Sequence, residues 1–343
     1  MAPLQYTRVV LAERPKAAVT PSTFRKEVVP FDSKAGPSQV LVKVEYVSLD
    51  PAMRGWLNNR RSYIEPVKIG AVMRAAGLGV VVEAGEESGF ARGDLVSGTF
   101  GWTEYALMEQ KAVTKLKIPD GGELLDFVGP LGMPGLTAYF GLLDVGKLRS
   151  GERLVVSGAA GATGSIVCQL GKQKGAKVYA IAGTPDKCKW LEDELGVDKA
   201  FNYKSPTFHE EFKQTVGYFD VFFDNVGGEI LDFALTRMNK NARTVLCGAI
   251  SDYNSLKPRG LTGYLNLISQ RAKIEGFIVF DYVQQFPEAL SYLGARLKDG
   301  SLKRRFHVVE GLEKAPQALN MLFDGGNTGK LVVKVGSDTK AKL

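Results

Sequence analysis

A short apolar strand that runs into a glycine-rich turn is the feature that most constrains this chain. The run Leu154-Val155-Val156-Ser157 precedes Gly158-Ala159-Ala160-Gly161-Ala162-Thr163-Gly164, and a helix is predicted over residues 165–174. This order places backbone N–H groups at a helix N-terminus, where the dipole favours a phosphate. The spacing is Gly-x-x-Gly-x-x-Gly, so an ordinary tight strand-to-helix turn is the competing interpretation. The predicted dinucleotide contacts are Gly158, Ala160, Gly161, Ala162, Thr163 and Gly164.

The second strand indicates which dinucleotide would bind. Residues 177–182 are predicted as a strand, and a free ribose 2′-hydroxyl usually meets an Asp or Glu near its end. Here the strand is followed by Gly183-Thr184-Pro185-Asp186-Lys187, with no carboxylate at the tip. A hydroxyl and a Lys suit a 2′-phosphate, while Asp186 is expected to cap or open the next helix. The sequence therefore favours NADPH over NADH. The alternative interpretation of Lys187 is a solvated charge on the helix.

Composition excludes several classes of protein. The 343 residues are 45% hydrophobic and 24% charged, which suffices for two domains. No apolar run reaches the roughly 18–20 residues of a membrane helix, and residues 1–14 lack a signal-peptide apolar region. Three scattered cysteines favour a reducing compartment, so we expect a cytoplasmic protein. The net charge of +7 is spread along the chain, which favours a solvated surface over nucleic-acid binding.

The sequence predicts no metal site. A catalytic zinc needs about three protein ligands that are grouped in space. The two histidines, His209 and His307, are far apart in the sequence, and no Cys-x-x-Cys or Gly-His-Glu cluster exists. The chemistry is therefore expected to depend on an organic cofactor and on protein dipoles.

Two kinds of patterning divide the chain. Residues 1 to about 125 carry short strands, such as the alternating run 40–47 and the glycine-bounded run 77–85, which are typical of a compact barrel-like domain. From about residue 130, strands and helices alternate as far as a strand predicted over residues 273–280. This alternation predicts a doubly wound parallel sheet. A helix from about residue 312 and a strand over residues 330–335 close the chain.

Six short motifs, in this order along the chain, indicate a family. They are Asp50-Pro51-Ala52-Met53-Arg54-Gly55-Trp56, Leu131-Gly132-Met133-Pro134-Gly135-Leu136-Thr137-Ala138-Tyr139, Ala200-Phe201-Asn202-Tyr203-Lys204, Asp224-Asn225-Val226-Gly227-Gly228, Cys247-Gly248-Ala249-Ile250-Ser251 and Asn327-Thr328-Gly329-Lys330. The whole chain resembles the zinc-independent medium-chain dehydrogenase/reductases. It is most similar to the group of prostaglandin reductase, leukotriene 12-hydroxydehydrogenase, curcumin reductase and plant alkenal double-bond reductase.

The resemblance implies an α/β architecture of three segments. It places a GroES-like β-rich domain on the substrate side over residues 1–128 and a Rossmann NADPH-binding domain over 129–310. Residues 311–343 would then return to the first domain. The resemblance also implies a homodimer, and a reaction in which NADPH reduces the carbon–carbon double bond of an α,β-unsaturated ketone or aldehyde.

Further cofactor contacts follow from the resemblance. It implies that Gly183, Thr184, Lys187 and Tyr203 surround the adenine ribose phosphate. Asn225 would meet the dinucleotide, and Cys247, Gly248, Ala249 and Ile250 would border the nicotinamide, with Asn327 and Gly329 as further contacts there. Structural roles are the alternatives to these contacts. Tyr203 would then be a half-buried aromatic residue at a strand end, and Asn225 and Asn327 would be turn residues.

The chain departs from the family at the expected tyrosine. Prostaglandin and plant alkenal reductases carry this Tyr shortly before a strand that ends in Gly-Phe or Ala-Phe, and alignment back from Gly276-Phe277 places Ser269 there. We rank Tyr253 first as the proton or hydroxyl donor, Tyr264 second and a water third. A packing role is the alternative for each tyrosine.

A second departure is Ala52, where plant relatives have a Tyr that can touch substrate. The smaller residue leaves room for bulkier or cyclic enones. The candidate substrate contacts are Met53, Arg54, Tyr63 and Met133, with a structural ion pair as the alternative for Arg54.

The sequence therefore predicts an NADPH-dependent ene reductase that acts on a small-molecule enone or enal. Hydride would add to the β-carbon, and a proton would then reach the α-carbon. A quinone oxidoreductase shares this cofactor architecture and is the first alternative. The second is an NADPH-binding sensor or scaffold without turnover, which the missing tyrosine at Ser269 motivates.

Overall fold

A computed structural model describes residues 3–336 of the chain. Its strands are β1 Gln5–Leu11, β2 Phe24–Pro30, β3 Gln39–Ser48, β4 Gly77–Ala84, β5 Leu95–Gly98, β6 Tyr105–Glu109, β7 Val113–Lys115, β8 Arg153–Val156, β9 Lys177–Ala182, β10 Lys199–Asn202, β11 Phe219–Asp224, β12 Met238–Leu246, β13 Lys273–Gly276, β14 Phe306–Glu310 and β15 Lys330–Lys334. Its α-helices are α1 Ala52–Trp56, α2 Met133–Phe140, α3 Ala162–Gln173, α4 Pro185–Asp193, α5 Phe208–Thr215, α6 Gly228–Leu235, α7 Leu265–Gln270, α8 Phe286–Lys298 and α9 Ala315–Asp324.

The described chain divides into two units. The first unit comprises residues 3–119, 123–128 and 306–336, and the second comprises Asp120–Gly122 and Gly129–Arg305. Each unit buries its own hydrophobic clusters, so each has a core of its own. Within residues 3–336, no helix combines the length and apolar character that crossing a membrane requires.

The first unit is β-rich, as predicted. Its main sheet has the order β14-β15-β3-β4-β5-β7, and β6 pairs with β3. Every ladder in this sheet is antiparallel except that between β14 and β15, and β1 pairs with β2 in a separate antiparallel ladder. The core of this unit includes Val42, Val44 and Trp102, which are buried completely or almost so.

The second unit confirms the predicted doubly wound parallel sheet. Its six strands have the order β10-β9-β8-β11-β12-β13, and every ladder is parallel. Successive residues of β8 alternate between its faces, so Leu154 and Val156 enter one core and Val155 the other. The strand order reverses between β8 and β11, and open α/β sheets bind ligands beyond the carboxyl ends of strands at such a switch point.

The strand predicted over residues 273–280 is shorter than expected. β13 ends at Gly276, and Val279–Gln285 forms a 3-10 helix. The ladder from β12 to β13 ends at the pair Leu246 and Gly276, because β12 itself ends there. Phe277 and Ile278 therefore lack a ladder partner and lead into the 3-10 helix. Hydrophobicity alone does not distinguish such a segment from a continued strand.

Candidate cofactor and substrate site

The turn between β8 and α3 has the geometry of a phosphate cradle. Gly158 has a φ of +57°, a backbone conformation that glycine adopts without strain. A Cβ on Gly164 would lie 2.5 Å from the carbonyl oxygen of Gly158 and 2.8 Å from Cα of Ala159. The helix can therefore approach the turn this closely only because position 164 has no side chain.

The predicted turn residues lie together around the start of α3. Gly161 is the N-cap and has no side chain with which to cap the helix. The N–H groups of the first helical turn, which contains Ala162 and Thr163, have no acceptor within the helix and are aligned with its dipole. Ala160 is buried in the core, so only its backbone is available. These residues fit a pyrophosphate.

The end of β9 forms a small positively charged site. Thr184 is the N-cap of α4 and accepts a hydrogen bond from the Lys187 N–H at 3.3 Å. The ring of Tyr203 covers Gly183, where a Cβ would lie 3.1 Å from the ring. Burial and the nearby charge of Lys204 lower the pKa of Lys187, and the Lys204 ammonium lies 5.8 Å from the Tyr203 ring centre. The structure thus brings the predicted residues together and adds Lys204 to them. The sequence could have indicated Lys204, because it directly follows Tyr203.

A buried carboxylate that sequence reasoning missed lies at the end of β11. Asp224 accepts hydrogen bonds from Ser157 Oγ at 2.6 Å and from the N–H groups of Val226 and Gly227, each at 3.0 Å. Burial raises the pKa of Asp224, and these hydrogen bonds oppose the rise. The available signal was a polar residue at the end of each of two neighbouring apolar strands.

Further hydrogen bonds of Ser157 and Asp224 position the loops that are expected to meet the cofactor. Asn225 donates its backbone N–H to Ser157 Oγ at 2.9 Å and its side-chain amide to the Ser157 carbonyl oxygen at 2.7 Å. The Asp224 carbonyl oxygen accepts from the N–H groups of Cys247 at 2.8 Å and Gly248 at 3.1 Å. The ends of β8, β11 and β12 are therefore held together by one hydrogen-bonded network centred on the buried residues Ser157 and Asp224.

Asp224→Asn is expected to lower the free energy of unfolding by about 1–3 kcal/mol, because an amide NH₂ would face N–H donors in a buried site. Urea unfolding followed by circular dichroism measures this change. Asp193→Asn, on the exposed side of α4, is the matched control and should leave the free energy unchanged. A variant at Asp224 as stable as the control would contradict the importance of this network.

A cavity of about 610 Å³ lies within the second unit beside the loop after β12. Cys247, Gly248, Ala249 and Tyr253 all line it. The Tyr253 hydroxyl accepts a hydrogen bond from the Ala249 N–H at 3.2 Å, so it lies directly over this loop. Ile250, which follows Ala249 in the loop, donates its N–H to the Asn225 carbonyl oxygen at 3.4 Å.

The structure separates the two candidate tyrosines. Tyr253 lines the cavity, whereas Tyr264 precedes α7 as its N-cap, is 53% exposed and is not part of the lining. Ser269 lies exposed on α7 and donates its hydroxyl to the Asn266 carbonyl oxygen. Burial, with a smaller contribution from the charge of Asp224, raises the pKa of Cys247 to about 12, which favours its packing role over a nucleophilic one.

Two of the predicted substrate contacts are internal to the first unit. Met53 is completely buried in its core. The Arg54 guanidinium, 2% exposed, donates to the carbonyl oxygens of Pro15 and Ala17 and to Oδ1 of Asn58. The expectation that these two side chains contact substrate therefore finds no support, because each is committed to internal packing or hydrogen bonding.

The remaining predicted residues differ in accessibility. In the first unit, Tyr63 is 48% exposed and accepts a hydrogen bond from Trp56 Nε1 at 3.0 Å. Asn327 is buried and donates its amide to the carbonyl oxygen of Gly329, which has a φ of +73°. This contact is typical of a turn residue before β15. In the second unit, Met133 begins α2 and is partly exposed.

Two family models match the chain. One, described as the N-terminal domain of oxidoreductase, matches residues 7–116, and the other, described as zinc-binding dehydrogenase, matches residues 162–294. The chain is 36% identical to the NADPH-dependent curcumin reductase of Escherichia coli, across 96% of this chain and 97% of that protein. The chain belongs to the medium-chain dehydrogenase/reductase family.

Two further comparisons place the chain within this oxidoreductase family. It is 38% identical to the NADP(+)-dependent 2-alkenal reductase of Nicotiana tabacum, across 88% of this chain and 89% of that protein. The crystal structure of CurA in complex with NADPH from Vibrio vulnificus superposes with a TM-score of 0.90 at 36% identity. That match covers 96% of this chain and 99% of the other. This medium-chain dehydrogenase/reductase therefore has the fold of a protein that binds NADPH.

The described residues do not fit the zinc that the second family description names. Residues 3–336 contain no group of three His, Cys, Asp or Glu side chains that could hold a metal ion. His209 is exposed on α5, and His307 lies in β14 of the first unit. We therefore assign no role to a metal.

Proposed function

We propose that this chain is an NADPH-dependent ene reductase that reduces the carbon–carbon double bond of α,β-unsaturated ketones or aldehydes. The observation that carries the proposal is the position of the Tyr253 hydroxyl in the second unit. It lies over the loop after β12, on a sheet whose switch point carries a glycine cradle for a dinucleotide. The curcumin and alkenal reductases among the relatives support the substrate class, and the CurA complex supports the cofactor.

The reaction requires a proton donor and a group that stabilises an oxyanion. Bound NADPH would supply the hydride that adds to the β-carbon of the enone. The π electrons of the double bond then move toward the carbonyl oxygen, which becomes an enolate and is stabilised by hydrogen-bond donors. The Ala249 N–H holds the Tyr253 oxygen in place, and the phenol transfers its proton to the α-carbon. Water returns that proton to Tyr253, so the net reaction consumes one proton.

The 2′-phosphate would bind at the end of β9. Lys187 and Lys204 provide positive charge, and the hydroxyl groups of Thr184 and Tyr203 provide hydrogen bonds. Burial is the larger cause of the lowered pKa of Lys187, and the charge of Lys204 is the smaller one, so the two ammonium groups repel each other. A phosphate would remove this repulsion, so NADPH is the cofactor that the site favours over NADH.

Lys187→Ala is expected to weaken NADPH binding ten-fold or more and NADH binding much less. A charge-assisted hydrogen bond to phosphate contributes about 1.5–3 kcal/mol, and NADH lacks the 2′-phosphate. Fluorescence titration of each nucleotide measures both dissociation constants. Lys189→Ala, an exposed lysine of the same helix, is the control and should change neither. Equal losses for the two nucleotides would show that Lys187 does not bind the 2′-phosphate.

NADPH oxidation against enones, enals and quinones, with identification of the products, tests the proposed activity. Turnover that depends on an enone and yields the saturated carbonyl is expected. An allylic alcohol as the product would reject double-bond reduction. Faster turnover of quinones would instead favour an NADPH:quinone oxidoreductase. Binding of NADPH without turnover across the whole panel would favour a sensor or scaffold.

A homodimer is part of the proposal. Among the described residues, β13 pairs only with β12 and is an edge strand, and the adjacent α7 exposes Leu265 by 60% and Ile268 by 73%. Unpaired strand edges and exposed apolar side chains are typical of interfaces between chains. Light scattering after size-exclusion chromatography should give twice the mass of the chain, and a monomer at micromolar concentration would reject the dimer.

The cytoplasm is the proposed location. All three cysteines are free thiols, and Cys168 and Cys188 are buried in the second unit. Proteins whose cysteines remain reduced are typical of reducing compartments. Fractionation of cells followed by detection of the chain tests this location, and recovery with membranes or in the medium would reject it.

A further inference from the structure

We propose that the cavity beside Tyr253 selects enones by charge: it accepts neutral or cationic substrates with a bulky apolar arm and rejects anionic ones. This inference rests on the proposed function, because it assigns the cavity to the substrate of that reaction. It concerns the part of the substrate beyond the reacting double bond.

The walls of the cavity are suited to an apolar arm. The side chains that contribute apolar surface are Leu231, Leu246, Leu261, Phe277 and Ile278. The volume of about 610 Å³ lies in the range of roughly 300–1,000 Å³ that is common for small-molecule pockets. The nicotinamide expected beside Cys247, Gly248 and Ala249 would occupy part of this space, and an aryl or branched group of the substrate would bury apolar surface against the rest of the lining.

The charged groups of the lining are mainly acidic. Asp252 and Asp281 both line the cavity, and within residues 3–336 no cation lies within ion-pair distance of either. Asp224 is a third carboxyl group of the lining, buried at the end of β11. An anionic substrate would therefore meet carboxylates of its own charge.

The cation of the lining is already paired. Arg259 lies 2.6 Å from Oε1 of Glu229 and 3.9 Å from Oδ2 of Asp232. Asp232 is itself held in place by Thr262, whose N–H donates to Oδ1 at 2.7 Å. The half-exposed guanidinium shares its charge with these two carboxylates, so it attracts an anionic substrate less than an unpaired arginine would. Arg259 therefore offsets Asp252 and Asp281 only in part.

The predicted selectivity follows from these charges. A carboxylate in the cavity is repelled by half-buried Asp252 and exposed Asp281, and solvent reduces this repulsion without changing its sign. A quaternary ammonium group is attracted by the same side chains. Two substrates of equal shape but different charge should therefore be distinguished.

Benzylideneacetone derivatives provide the matched pairs for a test. The para-carboxylate is compared with the para-carboxamide, and the para-trimethylammonium compound with the para-tert-butyl compound. We expect kcat/KM for the carboxylate to be at least ten-fold below that of the carboxamide. The trimethylammonium compound should be at least as good a substrate as its tert-butyl counterpart. Binding of the corresponding saturated ketones to the chain with NADP⁺, measured by calorimetry, should show the same order.

Variants assign the selectivity to particular side chains. In Asp252→Asn/Asp281→Asn, the carboxamide-to-carboxylate ratio of kcat/KM should fall at least five-fold. Asp193→Asn removes an exposed acid of the same unit outside the cavity and should leave activity and ratio unchanged. The calorimetric binding ratio should change in parallel with the kinetic ratio.

The outcomes separate this inference from the proposed function. A wild-type ratio near one, or a preference for the carboxylate, would overturn charge selection while leaving ene reduction intact. A ratio that persists in the double variant would overturn the assignment to Asp252 and Asp281. Absence of turnover with every enone would reject the proposed function, and calorimetric binding of the ketones would then still decide whether the cavity discriminates charge.

Discussion

Replacing Tyr253 with Phe is expected to lower kcat for enone reduction about 100-fold, while NADPH affinity stays within about two-fold. The substitution keeps the ring and removes the hydroxyl, which lies over the loop after β12 and accepts the Ala249 N–H. A positioned general acid typically contributes a factor of this size. Steady-state kinetics with a saturating enone measure kcat, and fluorescence titration measures NADPH affinity.

Tyr264→Phe is the matched control for this prediction. Its hydroxyl belongs to an exposed residue at the start of α7, outside the cavity lining, so kcat should be unchanged. A loss in this variant together with normal turnover of the Tyr253 variant would reverse the assignment. Normal turnover of both would indicate that a water supplies the proton.

Gly164→Ala is expected to weaken NADPH binding about 100-fold. The added Cβ would lie 2.5 Å from the Gly158 carbonyl oxygen and 2.8 Å from Cα of Ala159, and both are backbone atoms. The turn must therefore shift, and N–H groups directed at the pyrophosphate would lose alignment. Loss of two charge-assisted hydrogen bonds at about 1.5 kcal/mol each accounts for this factor. Titration with NADPH, combined with circular dichroism to verify folding, measures the effect.

Gly294→Ala provides the comparison for this substitution. It adds the same methyl group to α8, another helix of the second unit, where the nearest neighbouring atom is 4.0 Å away. Nucleotide affinity should be unchanged there, and stability should rise by roughly 0.5–1 kcal/mol. Normal NADPH affinity of the Gly164 variant would show that the cradle is not the cofactor site.

The alternation of strands and helices was sufficient to predict the parallel sheet of the second unit. Strand β8 and its glycine turn were recognisable because an apolar run, closely spaced glycines and a helix follow one another directly in the sequence. The absence of a carboxylate at the tip of β9 is likewise a local property. The glycine turn and the tip of β9 depend only on residues that are adjacent in the sequence, so the sequence was enough to predict them.

Tertiary structure decided which polar residues share a site. The sequence ranks Tyr253 ahead of Tyr264 but keeps both as candidates, and the fold places only Tyr253 in the lining of the cavity. In the sequence Arg54 is a candidate cation for binding a ligand. The structure shows instead that it donates to the carbonyl oxygens of Pro15 and Ala17, which are distant in the sequence. Asp224 and Ser157 are 67 positions apart and meet because β8 and β11 pair. Sequence periodicity describes how one element is buried, whereas contacts between elements depend on sheet order and on the paths of loops, which no local pattern encodes.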